Sequence, residues 1–194
     1  MNKKRIAIIG AGIGGMTTAV ALSQKGIDIS IFEQAPALSE VGAGLTVTPN
    51  ATKGLMYLNL GEEIAKIGMA HEKQGVRHYK TGDMIVPLHR GKKMLEQYGA
   101  YQFQLHRADI HDVLVNELKK NAPDSIYVNH QLSDIKESSE SVELKFTNGE
   151  KHEFDFVIGA DGNRSTVRNI ILGDDEPEFA GYVAWRGLVP TKEL

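Results

Sequence analysis

The stretch RIAIIGAGIGG, Arg5 to Gly15, decides how this chain is read. An apolar run, Ile6 to Ile9, stops at Gly10, and Gly10, Gly12 and Gly15 then fall at the spacing GxGxxG before a helical pattern begins. That order describes a strand, a tight turn and a helix N-terminus. The three glycines have separate roles. Gly10 permits the turn, Gly12 lets backbone approach a pyrophosphate, and Gly15 lets the helix pack close against the strand. The helix end adds N–H groups and the positive end of its dipole, both suited to phosphate.

Working outward, GGMTTAVALSQK, Gly14 to Lys25, has small residues facing the turn and ends at Gly26, a suitable residue just past a helix end. Ile27 to Phe32 reads as a second strand and ends in Glu33, 18 residues past Gly15. A dinucleotide fold places its acceptor for ribose hydroxyls there. The complete βαβ unit favours that reading over a merely solvated strand end.

Composition narrows the class. The chain has 194 residues, 41% hydrophobic and 24% charged, with a formal net charge of −3, so no electrostatic reason exists to expect nucleic acid. No apolar run approaches the roughly 18 to 20 residues of a membrane span, and the run behind Arg5 is too short for a signal peptide. No membrane association and a cytoplasmic location are therefore expected. With no cysteine, the chain holds no disulfide, thiolate metal site or redox dithiol, so redox chemistry would belong to a bound cofactor. His106 and His111, five apart, lack the i, i+4 spacing of a helical metal pair, and no metal site is expected.

Beyond Glu33, the glycines Gly42 and Gly44 and Pro49 argue for a long loop, its second half running beside a ligand. Asn50 reads as the N-cap of a helix through Leu58, and Gly61 to Ile67 as a further helical turn. Gly75 to Tyr79 and Met84 to Leu88 read as short strands around Thr81-Gly82-Asp83, an antiparallel element inserted into the α/β alternation. A helix from about Arg107 to Lys120 places Ile110, Val113, Leu114 and Leu118 on one face, and Pro123 and Asp124 end it. Ile126 to Val128 is a strand, Val142, Leu144 and Phe146 alternate before the turn Asn148-Gly149, and Phe154 to Ile158 is another apolar run ending at glycine. These later strands are expected to restore the nucleotide-binding sheet. Lys92-Lys93 and Lys119-Lys120 read as solvated faces.

DFVIGADGNRSTVR, Asp155 to Arg168, is a second strand end feeding a polar turn, with Asp161-Gly162 at its tip and Ser165 placed to cap the segment after it. Asp161 can accept from cofactor hydroxyls, and Arg164 and Arg168 can offer charge to a phosphate. Three features together resemble the single-component flavoprotein hydroxylases of the p-hydroxybenzoate hydroxylase type: GAGIGG with Glu33, Asp161-Gly162 with Ser165 and Arg168, and LHRADIHDVL from Leu105 to Leu114. Within that family GAGLTVTPN and GYVAWRGLVP look most similar to salicylate and 6-hydroxynicotinate hydroxylases.

The resemblance implies an α/β fold: a Rossmann-like FAD-binding domain of the GR2 type with a parallel sheet, a β-meander and the start of an inserted antiparallel substrate domain. It implies that residues 1–72 and 105–178 build the FAD-binding domain, that 73–104 begin the substrate domain and that 179–194 open its main sheet. It carries Gly10, Gly12, Ile13 and Gly15 over to the pyrophosphate, Glu33 to the adenosine ribose, Gln34 and Leu132 to the adenine side, and Asp161 and Arg107 to FAD. Thr46 joins the cofactor-side set, where the 6-hydroxynicotinate enzymes resemble one another in carrying a histidine near the substrate, a departure that argues against that substrate. The activity implied is an FAD- and NAD(P)H-dependent monooxygenase that uses molecular oxygen to hydroxylate a small aromatic substrate through a C4a-hydroperoxyflavin, with NADH or NADPH as co-substrate and a homodimer at full length. Family members run to roughly twice this length, and their later Gly-Asp flavin motif has no counterpart here. The chain is therefore expected to be an N-terminal portion that turns nothing over alone. An NAD-dependent dehydrogenase would explain GAGIGG and Glu33 but leave the Asp-Gly turn and His106-Arg107 unexplained. A non-catalytic FAD-binding fragment is the third alternative.

Overall fold

The apolar run ahead of the first glycine turn forms an inner strand of a parallel sheet. The computed structural model describes residues 4–38, 43–173, 177–183 and 192. In chain order the elements are β1 (Arg5–Ile9), α1 (Ile13–Ser23), β2 (Asp28–Phe32), β3 (Gly44–Val47), α2 (Pro49–Tyr57), α3 (Gly61–Ile67), β4 (Lys73–Arg77), β5 (Met84–His89), α4 (Lys92–Tyr98), β6 (Phe103–His106) and α5 (Arg107–Asn121). They continue with β7 (Ile126–Tyr127), β8 (Leu132–Glu137), β9 (Val142–Phe146), β10 (Lys151–Phe154), β11 (Phe156–Gly159) and α6 (Thr166–Leu172). Two compact units divide them: residues 1–39 with 114–194, and residues 40–113.

In the first unit the sheet order is β11-β1-β2-β7, all parallel, with Ile9 level with Gly159 on one side and with Phe32 on the other. That register brings the C-terminal ends of three strands to one edge, where an α/β sheet binds ligands. Ala7, Ile8 and Ile9 are all buried, as a strand covered on both faces requires. The start of β1 is pinned to the start of β11: Arg5 N–H donates to Asp155 Oδ2 at 2.8 Å, and Lys4 Nζ meets Oδ1 at 2.6 Å. The Arg5 N–H, then Lys4, hold the Asp155 carboxyl below its ordinary value of 3.8.

The hairpin that the residue pattern alone assigns to this sheet lies instead in the β-meander that the resemblance implies. β8, β9 and β10 form a separate antiparallel meander, and only β7 and β11 extend the parallel sheet. The alternation of Val142, Leu144 and Phe146 is the reason: a strand with one apolar face covers a core from one side, whereas the run Phe156–Ile158 pairs with β1 at the edge of the parallel sheet, with Val157 and Ile158 half-buried and Phe156 exposed. Between the two layers sit Ala7, Ile9, Phe32, Leu132, Leu144, Phe146, Phe154 and Val167. Phe32 is the hub, with ring centroids 4.7 Å from Phe146, 5.1 Å from Tyr127 and 5.7 Å from Phe154.

In the second unit β3 pairs antiparallel with β6, and β4 with β5. β3 corrects the expectation of irregular structure around Gly44: Leu45, Thr46 and Val47 favour a strand, and pairing with Phe103 to His106 satisfies their backbone. α2 begins two residues earlier than expected, with Thr48 rather than Asn50 at its N-cap and Pro49 in its first turn. α4 and β6 go beyond the sequence-based expectation, because α4 is short and exposed and has no apolar stripe to betray it; Lys92 and Lys93 lie on its exposed surface. Leu55, Leu58, Leu60, Ile64, Phe103 and Leu105 are buried here. The strand expected from Tyr182 to Pro190, with Trp185 and Arg186, lies largely outside the described residues. Among the described residues no helix is long and apolar enough to cross a membrane.

Candidate cofactor site

The first glycine turn is shaped by contacts that only glycine allows. Gly10 has φ +100°, and a Cβ there would lie 2.5 Å from the Ala160 carbonyl oxygen and 2.9 Å from Asp161 Cα. Gly15 is tighter: a Cβ would stand 1.9 Å from the Gly10 carbonyl oxygen. Gly10 N–H donates to Phe32 O at 2.8 Å, and Ala160 N–H to Ile9 O at 2.7 Å, so the turn is also fastened to both neighbouring strand ends. The two glycine turns singled out in the sequence thus lie side by side at the C-terminal edge of the sheet.

α1 starts from this turn with Gly12 as its N-cap in extended conformation, and Ile13 as its first residue. No side chain caps it and no acidic residue stands in its first turn. The first N–H groups of a helix have no partner within it, and here no cap or carboxylate of the helix competes for them. An anion at this end would meet those groups and the dipole together.

Glu33 is not a solvated strand end. Its Oε2 accepts from Ala11 N–H at 2.9 Å, inside the glycine turn, and its Oε1 accepts from Ala35 N–H at 2.9 Å. Its own N–H donates to Tyr127 O at 2.8 Å. The carboxylate is therefore clamped beside the turn, and each oxygen keeps a second lone pair for another donor. Gln34, next in the chain, is exposed in a bend.

Asp161 supports the second turn. Oδ1 accepts from the Ser165 hydroxyl and Oδ2 from Val167 N–H at 3.0 Å, while Ser165 Oγ accepts from Arg168 N–H at 2.9 Å. Ser165 is thus the N-cap of α6, in keeping with its place in the sequence. Gly162 takes φ +83°, the conformation that makes Asp-Gly rather than another pair suitable here. Arg168 reaches back to Asn163 O at 3.0 Å.

The structure brings Gly10, Gly12, Ile13, Gly15, Glu33 and Asp161 together at one sheet edge. Leu132 belongs to the core between the sheet and the meander and is buried at the head of β8. Thr46 and Arg107 lie in the second compact unit. Thr46 is exposed on β3 opposite Gln104, and Arg107 opens α5, half-buried, with its N–H donating to Ala43 O at 2.9 Å. Sequence reasoning misses one constellation altogether: His130, Glu150 and His152, whose ligand-type atoms lie within 4.8 Å of one another. Glu150, just ahead of β10, and His152, within it, stand two residues apart, and that i, i+2 pair is its one legible signal.

The family description "FAD binding domain" matches residues 3–186. The chain is similar to 6-hydroxynicotinate 3-monooxygenase of Pseudomonas fluorescens, 36% identical over 98% of this chain and 49% of that protein. It is also similar to 3-amino-4-hydroxybenzoate 2-monooxygenase of Streptomyces cremeus, 38% identical over 96% of this chain and 46% of that protein. Among solved structures, Klebsiella pneumoniae HpxO complexed with FAD and uric acid superposes with a TM-score of 0.77 at 27% identity, over 87% of this chain and 41% of that one. The chain spans about half the length of the curated relatives it matches.

Proposed function

We propose a function from one premise: this chain belongs to the family of FAD binding domains. FAD fits the site by its geometry. The uncapped N-terminus of α1 suits the pyrophosphate, the close-packed Gly10 and Gly15 leave the turn to backbone alone, and the clamped Glu33 carboxylate offers free lone pairs to ribose hydroxyls. The Glu33 clamp is the observation that carries the reading, because it puts an acceptor beside the helix end that a phosphate would occupy.

In this reading Gly10, Gly12, Ile13 and Gly15 hold the pyrophosphate and Glu33 the adenosine ribose. Gln34 and Leu132 flank the adenine, Asp161 faces the cofactor from the second turn, and the resemblance assigns Arg107 and Thr46 to the cofactor as well. Residues 1–72 and 105–178 form the cofactor domain, with 73–104 and 179–194 belonging to a substrate domain; the break between compact units at residue 40 falls earlier than that functional division. The activity is hydroxylation of a small aromatic ring of the salicylate or hydroxybenzoate kind, in the cytoplasm, by a protein that forms a homodimer. Bound FAD would supply the redox chemistry, taking hydride from NADH or NADPH and activating molecular oxygen for transfer to the ring. The chain's own residues bind and orient: the α1 end fixes the phosphates, and the Glu33 carboxylate sets the ribose.

The test is reconstitution. Protein incubated with FAD and desalted should be yellow and release FAD on denaturation, with NAD⁺ failing to compete; bound nicotinamide without flavin would overturn the reading in favour of a dehydrogenase. NAD(P)H oxidation stimulated by hydroxylated aromatic acids, with an oxygenated product, then tests the activity in a longer form that spans the relatives' full length, with residues 1–194 alone expected to turn nothing over.

A further inference from the structure

We propose that His130, Glu150 and His152 form a binding site for a divalent transition-metal ion of the zinc class, held by the two imidazole Nε2 atoms and the Glu150 Oε2 atom. The site starts from a conflict of lone pairs. His130 Nδ1 lies 2.6 Å from Val128 O, and a carbonyl only accepts, so the proton of the neutral ring is on Nδ1. Nε2 then presents a lone pair to Glu150 Oε2 at 3.1 Å, another acceptor. Two acceptors at that distance need a cation between them, either a second ring proton or a metal ion.

Three observations favour the metal. His152 Nε2 converges on the same carboxylate oxygen at 3.0 Å, giving three donor atoms around one point. Ligands of a tetrahedral ion at about 2.0–2.1 Å stand roughly 3.3 Å apart, close to the two nitrogen–oxygen separations, and all three atoms lie within 4.8 Å of one another. The donors are also oriented from behind, as metal ligands are: His130 through Val128 O, and the Glu150 carboxylate through Asn148 Nδ2, which donates to Oε1 at 3.4 Å. Finally, the exposure is graded. The His130 side chain is 9% exposed, His152 31% and Glu150 54%, so an ion and a water as fourth ligand can enter from solvent. Two imidazoles and one carboxylate suit zinc and its neighbours rather than magnesium or calcium.

The backbone around the site is already held. His130 N–H donates to Glu33 O at 2.8 Å, and Phe146 N–H to Glu150 O at 3.0 Å. An ion here would tie the β7–β8 connection to the β9–β10 turn, next to the strand end that carries Glu33. The site does not depend on the flavin reading.

Metal-stripped chain should be titrated with Zn²⁺ by calorimetry and with Co²⁺ by visible absorbance. The expected result is one saturable site, reversed by EDTA, with Co²⁺ bands of a tetrahedral ion. Glu150→Gln, at an exposed position, and His152→Gln, at a half-buried one, should each weaken binding by about 100-fold or more, at or beyond the 10- to 100-fold typical of residues behind the ligands. His130→Gln serves only if its circular dichroism matches the parent, since it is buried. No saturable Zn²⁺ binding at micromolar concentration, or binding by the Glu150 and His152 variants equal to the parent's, would overturn the site.

Discussion

Gly15→Ala tests the cofactor site where its geometry is least forgiving. The new methyl carbon would start 1.9 Å from the Gly10 carbonyl oxygen, whereas ordinary contact begins at 3.4 Å. Helix and turn must therefore separate by roughly 1.5 Å, the difference of those two distances. The obstacle is backbone, fixed by the bond from Gly10 N–H to Phe32 O, so no side chain can swing aside. Overpacking of this kind costs about 1–3 kcal/mol, and about 2 kcal/mol changes a folding or binding equilibrium by roughly 30-fold. Gly14→Ala is the internal control. It is one residue away in the same first turn, nothing lies within 4 Å of its would-be Cβ, and alanine is favoured over glycine in a helix by up to about 1 kcal/mol.

The assay is urea unfolding followed by circular dichroism, with FAD affinity from flavin fluorescence. Gly15→Ala should lose stability and bind FAD at least about 10-fold more weakly, because the helix end moves away from the phosphates by more than a hydrogen bond tolerates. Gly14→Ala should match or exceed the parent in stability. Equal behaviour of the two variants, in either direction, would refute the claim that close packing at Gly15 builds the site.

Other changes probe the remaining contacts. Glu33→Gln sets an amide NH₂ against one of the two backbone N–H donors and should weaken FAD binding by about 1.5–3 kcal/mol, as loss of a charge-assisted hydrogen bond does; unchanged affinity by fluorescence titration would remove Glu33 from the ribose. Ser165→Ala removes the α6 cap and should cost about 1 kcal/mol in urea unfolding, while Ser165→Asp, which still accepts, should place a like charge beside Asp161 and not restore it. Asp155→Asn tests the start of the sheet through pH. Because the Asp155 pKa is lowered in the folded state, its stabilisation is complete above the ordinary 3.8 and is lost as pH falls through the lowered value. The parent's advantage over Asp155→Asn should therefore be constant above about pH 5 and shrink below about pH 4; an advantage that survives to pH 2 would contradict it.

How much of the fold the sequence makes legible depends on the range of the forces involved. The β1-turn-α1-β2 unit is local: the glycine spacing, the apolar run and Glu33 lie within one supersecondary unit, and its hydrogen bonds close over short chain distances. The Asp161 turn is legible for the same reason, since its partners Ser165 and Val167 are four and six residues away. β3 is not, because its pairing depends on Phe103 to His106, nearly sixty residues later, and no local pattern outweighs Gly44 and Pro49. The assignment of β8, β9 and β10 to their own sheet is equally nonlocal. Alternation shows that one face is buried but not against which neighbour. Of the imidazole and carboxylate cluster the sequence shows only the Glu150–His152 pair, because His130 and His152 meet only once the meander has formed.

The two carboxylates at the sheet edge have a property that neither motif displays alone. Glu33 accepts from an N–H inside the first turn, and Asp161 accepts from a hydroxyl and an N–H that define the second. Both side chains therefore hold backbone in the shape that a cofactor would need. Gly10 couples the two turns, since its backbone approaches Ala160 and Asp161 too closely for any side chain. A ligand arriving at the α1 N-terminus consequently meets a turn already braced from both flanking strands, and loses little of its binding energy to ordering it. Replacing either carboxylate should then weaken binding partly by loosening this frame, so the effects of Glu33→Gln and Gly15→Ala on FAD affinity should fall short of additive when combined.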